Sequence, residues 1–214
     1  MDASFWHNRW QTNQTGWHEP AVNPQLIKHF PALNVPPGGR VFVPLCGKSL
    51  DLGWLQSQGH AVVGAELSEL AITQLFGELS LEPRISVVGK ITHYAADRIE
   101  IFAGNIFDVS RDVLGHVDAV YDRAALVALP PEMRPRYTAH LTAVTAFAPQ
   151  LLIAYEYDQS VVNGPPFSVT GEELRRHYSG SYSLTLLERA EVPGGLKGKC
   201  PAQEHTWLLT RQNS

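Results

Sequence analysis

The sequence predicts a doubly wound α/β fold, a mostly parallel sheet with helices on both faces. Two observations predict it. Short apolar runs of strand length alternate with helical segments from residue 40 to residue 178. The two strand-like segments after residue 178 have no helix between them, so they are expected to pair antiparallel as a hairpin.

The elements follow in order. Residues 1–24 mix Phe5, Trp6, Trp10 and Trp17 with Asn, Gln and His. Trp6 and Trp10 share a face if this segment is helical. Alone it has no core to build, so it is expected to lie on the rest as a lid. Pro36-Pro37-Gly38-Gly39 breaks the chain. Arg40 to Leu45 then reads as a buried strand. Cys46-Gly47-Lys48 turns, Ser49 caps a helix carrying Leu50, Leu52, Trp54 and Leu55, and Gly59 ends it. Ala61 to Ala65 is a second buried strand, with Glu66 at its end. Ser68 caps the next helix, which runs to about Leu79, and Glu69 sits in its first turn, where the helix dipole favours an acid.

The stretch 80–98 is less regular. Ile99 to Ala103 alternates as a strand and leaves through the loop Gly104–Asp108. Val117 to Tyr121 is another strand, ending at Asp122-Arg123. A helix follows, with Pro135 near its first turn and Tyr137, Leu141, Val144 and Ala148 on one side. Leu151 to Tyr155 is a strong apolar strand. After the loop Asn163–Pro166, Thr170 and Glu173 have capping-box spacing. The tail offers strands at about Tyr182–Arg189 and His205–Thr210. The expected sheet therefore has seven strands.

The bulk properties narrow the function classes. The 214 residues are enough for one sizeable core. No repeat or compositional shift marks a second domain, so 1–214 is read as one domain with 1–24 as its lid segment. Hydrophobic residues are 44%, charged residues 18% and the net charge is −4, without the basic patch of a nucleic-acid binder. No signal peptide pattern and no run of ~18 apolar residues occurs, which points to a cytoplasmic chain without a membrane partner. The two cysteines, Cys46 and Cys200, are then expected to be free thiols. The nine histidines show no pair at metal-ligand spacing, so no metal is expected.

In such a sheet, ligands bind outside the carboxyl ends of the strands. The candidates are therefore the residues at those ends. Glu66 stands about 20 positions past the first strand turn, where a carboxylate can accept hydrogen bonds from ribose hydroxyls. The plainer alternative is a solvated strand-end acid. Cys46-Gly47-Lys48-Ser49 resembles the end of a phosphate loop, but Phe42 stands where that pattern needs glycine, and no Gly-x-Gly-x-x-Gly occurs. A nucleoside without pyrophosphate suits this turn better. Lys48 is read as a helix-start lysine, Cys46 as a residue without a nucleophile's partners, and Asp108 as a turn aspartate. Arg123 is either paired with its neighbour Asp122 or a cation facing the crevice.

These segments together resemble one family. Phe5-Trp6-His7-Asn8-Arg9-Trp10, Gly16-Trp17-His18, Val43-Pro44-Leu45-Cys46-Gly47-Lys48-Ser49-Leu50-Asp51, Gly64-Ala65-Glu66-Leu67-Ser68, Asn105-Ile106-Phe107-Asp108, Tyr121-Asp122-Arg123-Ala124-Ala125-Leu126 and Gly164-Pro165-Pro166-Phe167 are similar to the bacterial thiopurine S-methyltransferases. The resemblance implies a Rossmann-like class I fold dependent on S-adenosylmethionine. It implies methyl transfer to the sulfur of aromatic or heterocyclic thiols, with selenium or tellurium species as further acceptors. Trp10 would cover the cofactor, Leu45 contact it by backbone, Glu66 hold the ribose and Asn105 with Ile106 border the adenine. Arg123 would lie near the methionine portion and favour the substrate thiolate. The product cofactor would be S-adenosylhomocysteine. The expected partner is a small-molecule thiol, and the expected state a monomer.

One segment departs from the family pattern. Members commonly carry an arginine before the last strand, near the substrate. Here Val192 to Pro201 is glycine-rich and holds only Lys197 and Lys199. Lysine lacks the planar fork of arginine, so the substrate range is the open question. The rival readings are a methyltransferase acting on oxygen or nitrogen and a nucleoside-binding module without catalysis.

Overall fold

The structure, a computed structural model, describes residues 3–212. The chain runs α1 (Ala3–Gln11), α2 (Pro24–His29), β1 (Arg40–Pro44), α3 (Leu50–Ser57), β2 (Ala61–Glu66) and α4 (Glu69–Glu78). Then come β3 (Arg84–Val88), β4 (Ile91–Ala96), β5 (Ile99–Ala103), α5 (Arg111–Leu114), β6 (Ala119–Arg123) and α6 (Arg134–Val144). β7 (Gln150–Tyr157), α7 (Gly171–Tyr178), β8 (Tyr182–Glu191) and β9 (Ala202–Arg211) complete it.

One sheet holds nine strands in the order β3-β4-β5-β2-β1-β6-β7-β9-β8. The five central strands are parallel. β9 runs antiparallel to β7, and β8 and β9 form the expected antiparallel hairpin. Seven strands were expected. The two additional ones, β3 and β4, form an antiparallel hairpin on the outer side of β5. They come from the stretch that showed no clear period. All of β3 is exposed, and along β4 only Ile91 and Tyr94 are buried, so neither strand alternates.

The pleat sends successive side chains to opposite faces. Val41 and Val43 of β1 pack with Leu26 and Phe30 near α2 and with Leu52, Leu55, Ile72 and Phe76 of α3 and α4. Phe42, between them, packs on the other face with Tyr137 and Leu141 of α6, Leu174 and Tyr178 of α7, and Trp207. Burial on both faces explains why the central strands read as continuous apolar runs.

The helix starts follow local chemistry. The Ser49 hydroxyl accepts from the Asp51 N–H, and Ser68 accepts from Ala71. Thr170 accepts from the Glu173 N–H at 3.2 Å, but only this half of the expected capping box is described. The Glu173 carboxylate is bonded instead to Arg134, at 2.8 and 2.9 Å. Arg134 is almost wholly buried, and a buried guanidinium needs a carboxylate more than an exposed helix end does.

Candidate active site

The carboxyl ends of β1, β2, β5 and β6 open into one cavity of about 530 Å³. That volume falls in the range of small-molecule sites, roughly 300–1,000 Å³. Trp10, Leu45, Glu66, Asn105, Ile106 and Arg123 all line it, so the fold brings the sequence candidates together.

The first wall is the turn after β1. Leu45 has φ +48 and Gly47 φ +55, so the chain bends tightly away from the strand. The Gly47 N–H donates to Glu66 Oε2 at 2.8 Å, and the Ser68 N–H donates to Oε1 at 2.8 Å. Glu66 is 6% exposed. Burial pushes its pKa up, and the N–H groups of Ser68, Gly47 and Leu67 work against that. A carboxylate has about four lone-pair positions, so its backbone donors do not occupy all of them.

The roof is α1. Trp10 is 5% exposed and meets Trp17 edge-on, with ring centroids 5.7 Å apart. A Cβ on Gly47 would lie 3.2 Å from the Trp10 ring, so the glycine allows the close approach of roof and turn. On the far side, the Asn105 side chain accepts from the Phe107 N–H at 3.0 Å and holds the short helical turn Ile106–Asp108.

Arg123 settles the choice left open by the sequence. It does not pair with Asp122. Adjacent residues on a strand face opposite sides. Asp122 points away from the cavity and accepts from Tyr137 Oη at 2.7 Å and from the Leu126 N–H at 3.1 Å. Arg123 points into the cavity, forms an ion pair with Glu19, and donates to the Trp17 carbonyl at 3.1 Å. Burial works against its charge, and Glu19 with other neighbours more than offsets this, so its pKa rises.

Several lining residues were not singled out from sequence. Asp51 is buried and accepts from the Asn23 N–H at 2.8 Å and from Tyr121 Oη at 2.9 Å. It ties the end of the N-terminal segment to β6. Its only sequence signal was an acid in a first helical turn. Glu19 had no signal, because its partner is over a hundred residues away. Lys197 also lines the cavity and donates to the Pro165 carbonyl at 2.7 Å; Lys199 is not among the lining residues. Burial lowers the Lys197 pKa first, with Arg9 and Lys199 adding to it.

Other candidates fall away. Lys48 lies against the cavity but is held by Glu78 at 2.6 Å. Cys46 is buried, and burial together with Glu66 pushes its thiol well up, which suppresses the nucleophilic thiolate. Both cysteines are free. Among the described residues no helix is long and apolar enough to cross a membrane, and no cluster of three potential metal ligands occurs.

A mostly parallel sheet of this order, with a cavity at its carboxyl ends and a carboxylate closing the second strand, defines the Rossmann-like doubly wound class. Solved structures with this fold include the 1,6-didemethyltoxoflavin-N1-methyltransferase of Burkholderia thailandensis, at TM-score 0.66 and 18% identity, covering 97% of this chain and 87% of that one. A methyltransferase from Anabaena variabilis aligns at TM-score 0.68 and 14% identity, over 98% of this chain and 95% of that one. The particular family follows from the sequence. The thiopurine S-methyltransferase family matches residues 1–212, and the chain belongs to it. A thiopurine S-methyltransferase of Xanthobacter autotrophicus is 54% identical over 212 residues, covering 99% of this chain and 100% of that protein.

Proposed function

We propose that this chain transfers the methyl group of S-adenosylmethionine to the sulfur of aromatic and heterocyclic thiols, thiopurines among them. The carrying observation is that a charged Arg123, its side chain 8% exposed, and a buried Glu66 line the same cavity. One group suits a nucleoside and the other an anionic nucleophile. Membership of the family supports the choice of sulfur.

The residues present fit the cofactor. Glu66 would accept from the ribose hydroxyls with the lone pairs its backbone donors leave free. Asn105 and Ile106 would border the adenine, the Leu45 backbone would meet the amino-acid portion, and Trp10 would cover it. S-adenosylmethionine would supply a methyl group already activated on a sulfonium. The protein's part is then alignment, because holding reacting atoms about 3–3.5 Å apart recovers several kcal/mol of the barrier. Arg123, whose charge is shared with Glu19, would lie beside the acceptor and favour its thiolate. Trp6, Trp10 and Trp17 roof the cavity and exclude water.

The test is a panel of acceptors with labelled S-adenosylmethionine. Thiopurines and thiophenols should give methyl thioethers, with selenols and tellurium species as further acceptors. Turnover confined to oxygen or nitrogen acceptors would reassign the substrate class. Cofactor binding with no transfer to any acceptor would leave a binding module.

A further inference from the structure

Tyr121 and Arg123 lie two apart on β6, so their side chains leave the same face of the sheet, and both line the cavity. Each is claimed by an acid. Tyr121 Oη donates to Asp51 Oδ2 at 2.9 Å, and Arg123 pairs with Glu19 Oε1. Asn23 joins the two acids. Its N–H donates to Asp51 Oδ1 at 2.8 Å, and its side-chain amide donates to Glu19 Oε2 at 3.5 Å. The contacts Tyr121–Asp51–Asn23–Glu19–Arg123 therefore start and finish on β6, and they fasten the segment between α1 and α2 over the cavity.

That segment has other fastenings. Asn23 is bonded to the buried Asp51, and the Trp17 carbonyl accepts from Arg123 at 3.1 Å. The Trp17 ring meets Trp6 and Trp10 edge-on, with centroids 5.2 and 5.7 Å away. What Glu19 alone brings to Arg123 is a negative charge. Without it, an almost buried guanidinium would face the cavity with its full charge and attract any anion that entered. With the carboxylate in place the pair is neutral. The other cations of the lining come from elsewhere: Arg9 from α1, Lys48, which is held by Glu78, and Lys197 from the loop between β8 and β9.

On the reading that the acceptor is a thiol beside Arg123, we propose that Glu19 is a specificity-determining residue. By holding Arg123 in a neutral pair, it admits aromatic and heterocyclic thiols without a second anionic group and turns away those with a carboxylate next to the sulfur. Such an acceptor brings a further negative charge to a guanidinium that Glu19 has already neutralised. Its carboxylate and that of Glu19 then compete for one partner and repel each other across a cavity shielded from water. A carboxamide in the same position has the same shape and no charge, and its N–H groups can donate to Glu19.

The test compares 2-mercaptobenzoate with 2-mercaptobenzamide as acceptors at saturating S-adenosylmethionine, with circular dichroism to verify folding. The native chain should prefer the amide. Glu19→Gln keeps an acceptor for Arg123 and removes the charge, so the ratio of kcat/KM values should move about tenfold or more toward the carboxylate. Glu19→Asp should keep the native preference. A loosened roof would change both acceptors alike and leave the ratio where it was. A second arm needs no turnover: calorimetry of benzoate and benzamide on protein saturated with S-adenosylhomocysteine. Glu19→Gln should strengthen benzoate binding about tenfold or more relative to benzamide. A benzoate-to-benzamide ratio that does not move, or an acceptor ratio that moves equally in Glu19→Asp and Glu19→Gln, would overturn the proposal. A native chain that methylates no thiol while the benzoate ratio shifts would leave the charge role of Glu19 standing and overturn the thiol reading instead.

Discussion

The N–H of Gly47 donates to Glu66 Oε2 at 2.8 Å, which joins the turn after β1 to the last residue of β2. The carboxylate thus orders the turn that lines the cavity with it. Glu66→Ala should leave the Gly47 and Ser68 N–H groups without their acceptor. A loss of about 1–3 kcal/mol in stability is expected from an orphaned buried donor. Cofactor affinity should fall by roughly 1–3 kcal/mol as well, the scale of a hydrogen-bonded charge. Denaturant unfolding and titration calorimetry measure the two separately. Full stability with full affinity would remove Glu66 from the proposed site.

Arg123→Lys should preserve a cation but lose the fork that bonds Glu19 and the Trp17 carbonyl together. The expected drop in kcat/KM is about tenfold or more, corresponding to one charged hydrogen bond. Arg123→Met should also move the pH profile of kcat/KM upward, because the substrate thiol then ionises without help. An unmoved profile would assign Arg123 to holding the N-terminal segment through Glu19 alone.

Lys197 and Lys199 should separate cleanly. Only Lys197 lines the cavity. Lys197→Ala should raise KM for the thiol while leaving cofactor affinity unchanged, whereas Lys199→Ala should alter neither. Steady-state kinetics with the acceptor varied distinguishes them. Equal effects from both would point to a general charge effect at the cavity mouth.

Asp122 predicts a pH dependence of stability. Burial raises its carboxyl to about 6, against the opposing hydrogen bonds from Tyr137 and Leu126. The folded state therefore holds a proton that the unfolded state, with an ordinary value near 4, has already released. The contribution of this group is fully present below about pH 4 and is lost as pH rises to about 6, by roughly 3 kcal/mol. Asp122→Asn should flatten that part of the stability profile measured by denaturant unfolding. A slope unchanged by the substitution would assign the pH dependence to other groups.

The sequence by itself determined the order of the central elements. Buried parallel strands leave continuous apolar runs, and serines 49 and 68 bond N–H groups only two or three residues away, so both signals are local. It also put Glu66 at a strand end, because strand boundaries are local too. What tertiary structure decided lies at long range. β3 and β4 were illegible because a strand with no alternating buried face leaves no period. Glu173 followed its capping spacing on one side only, because the buried Arg134 claimed its carboxylate. Arg123 could not be assigned to Asp122 or to the crevice until the strand's pleat placed them on opposite faces. Its bond to Glu19, and the choice of Lys197 over Lys199, depend on where distant segments return to the sheet. Side-chain spacing along a chain encodes its local periodicity, whereas the partner of a buried charge is fixed only when the core closes around it.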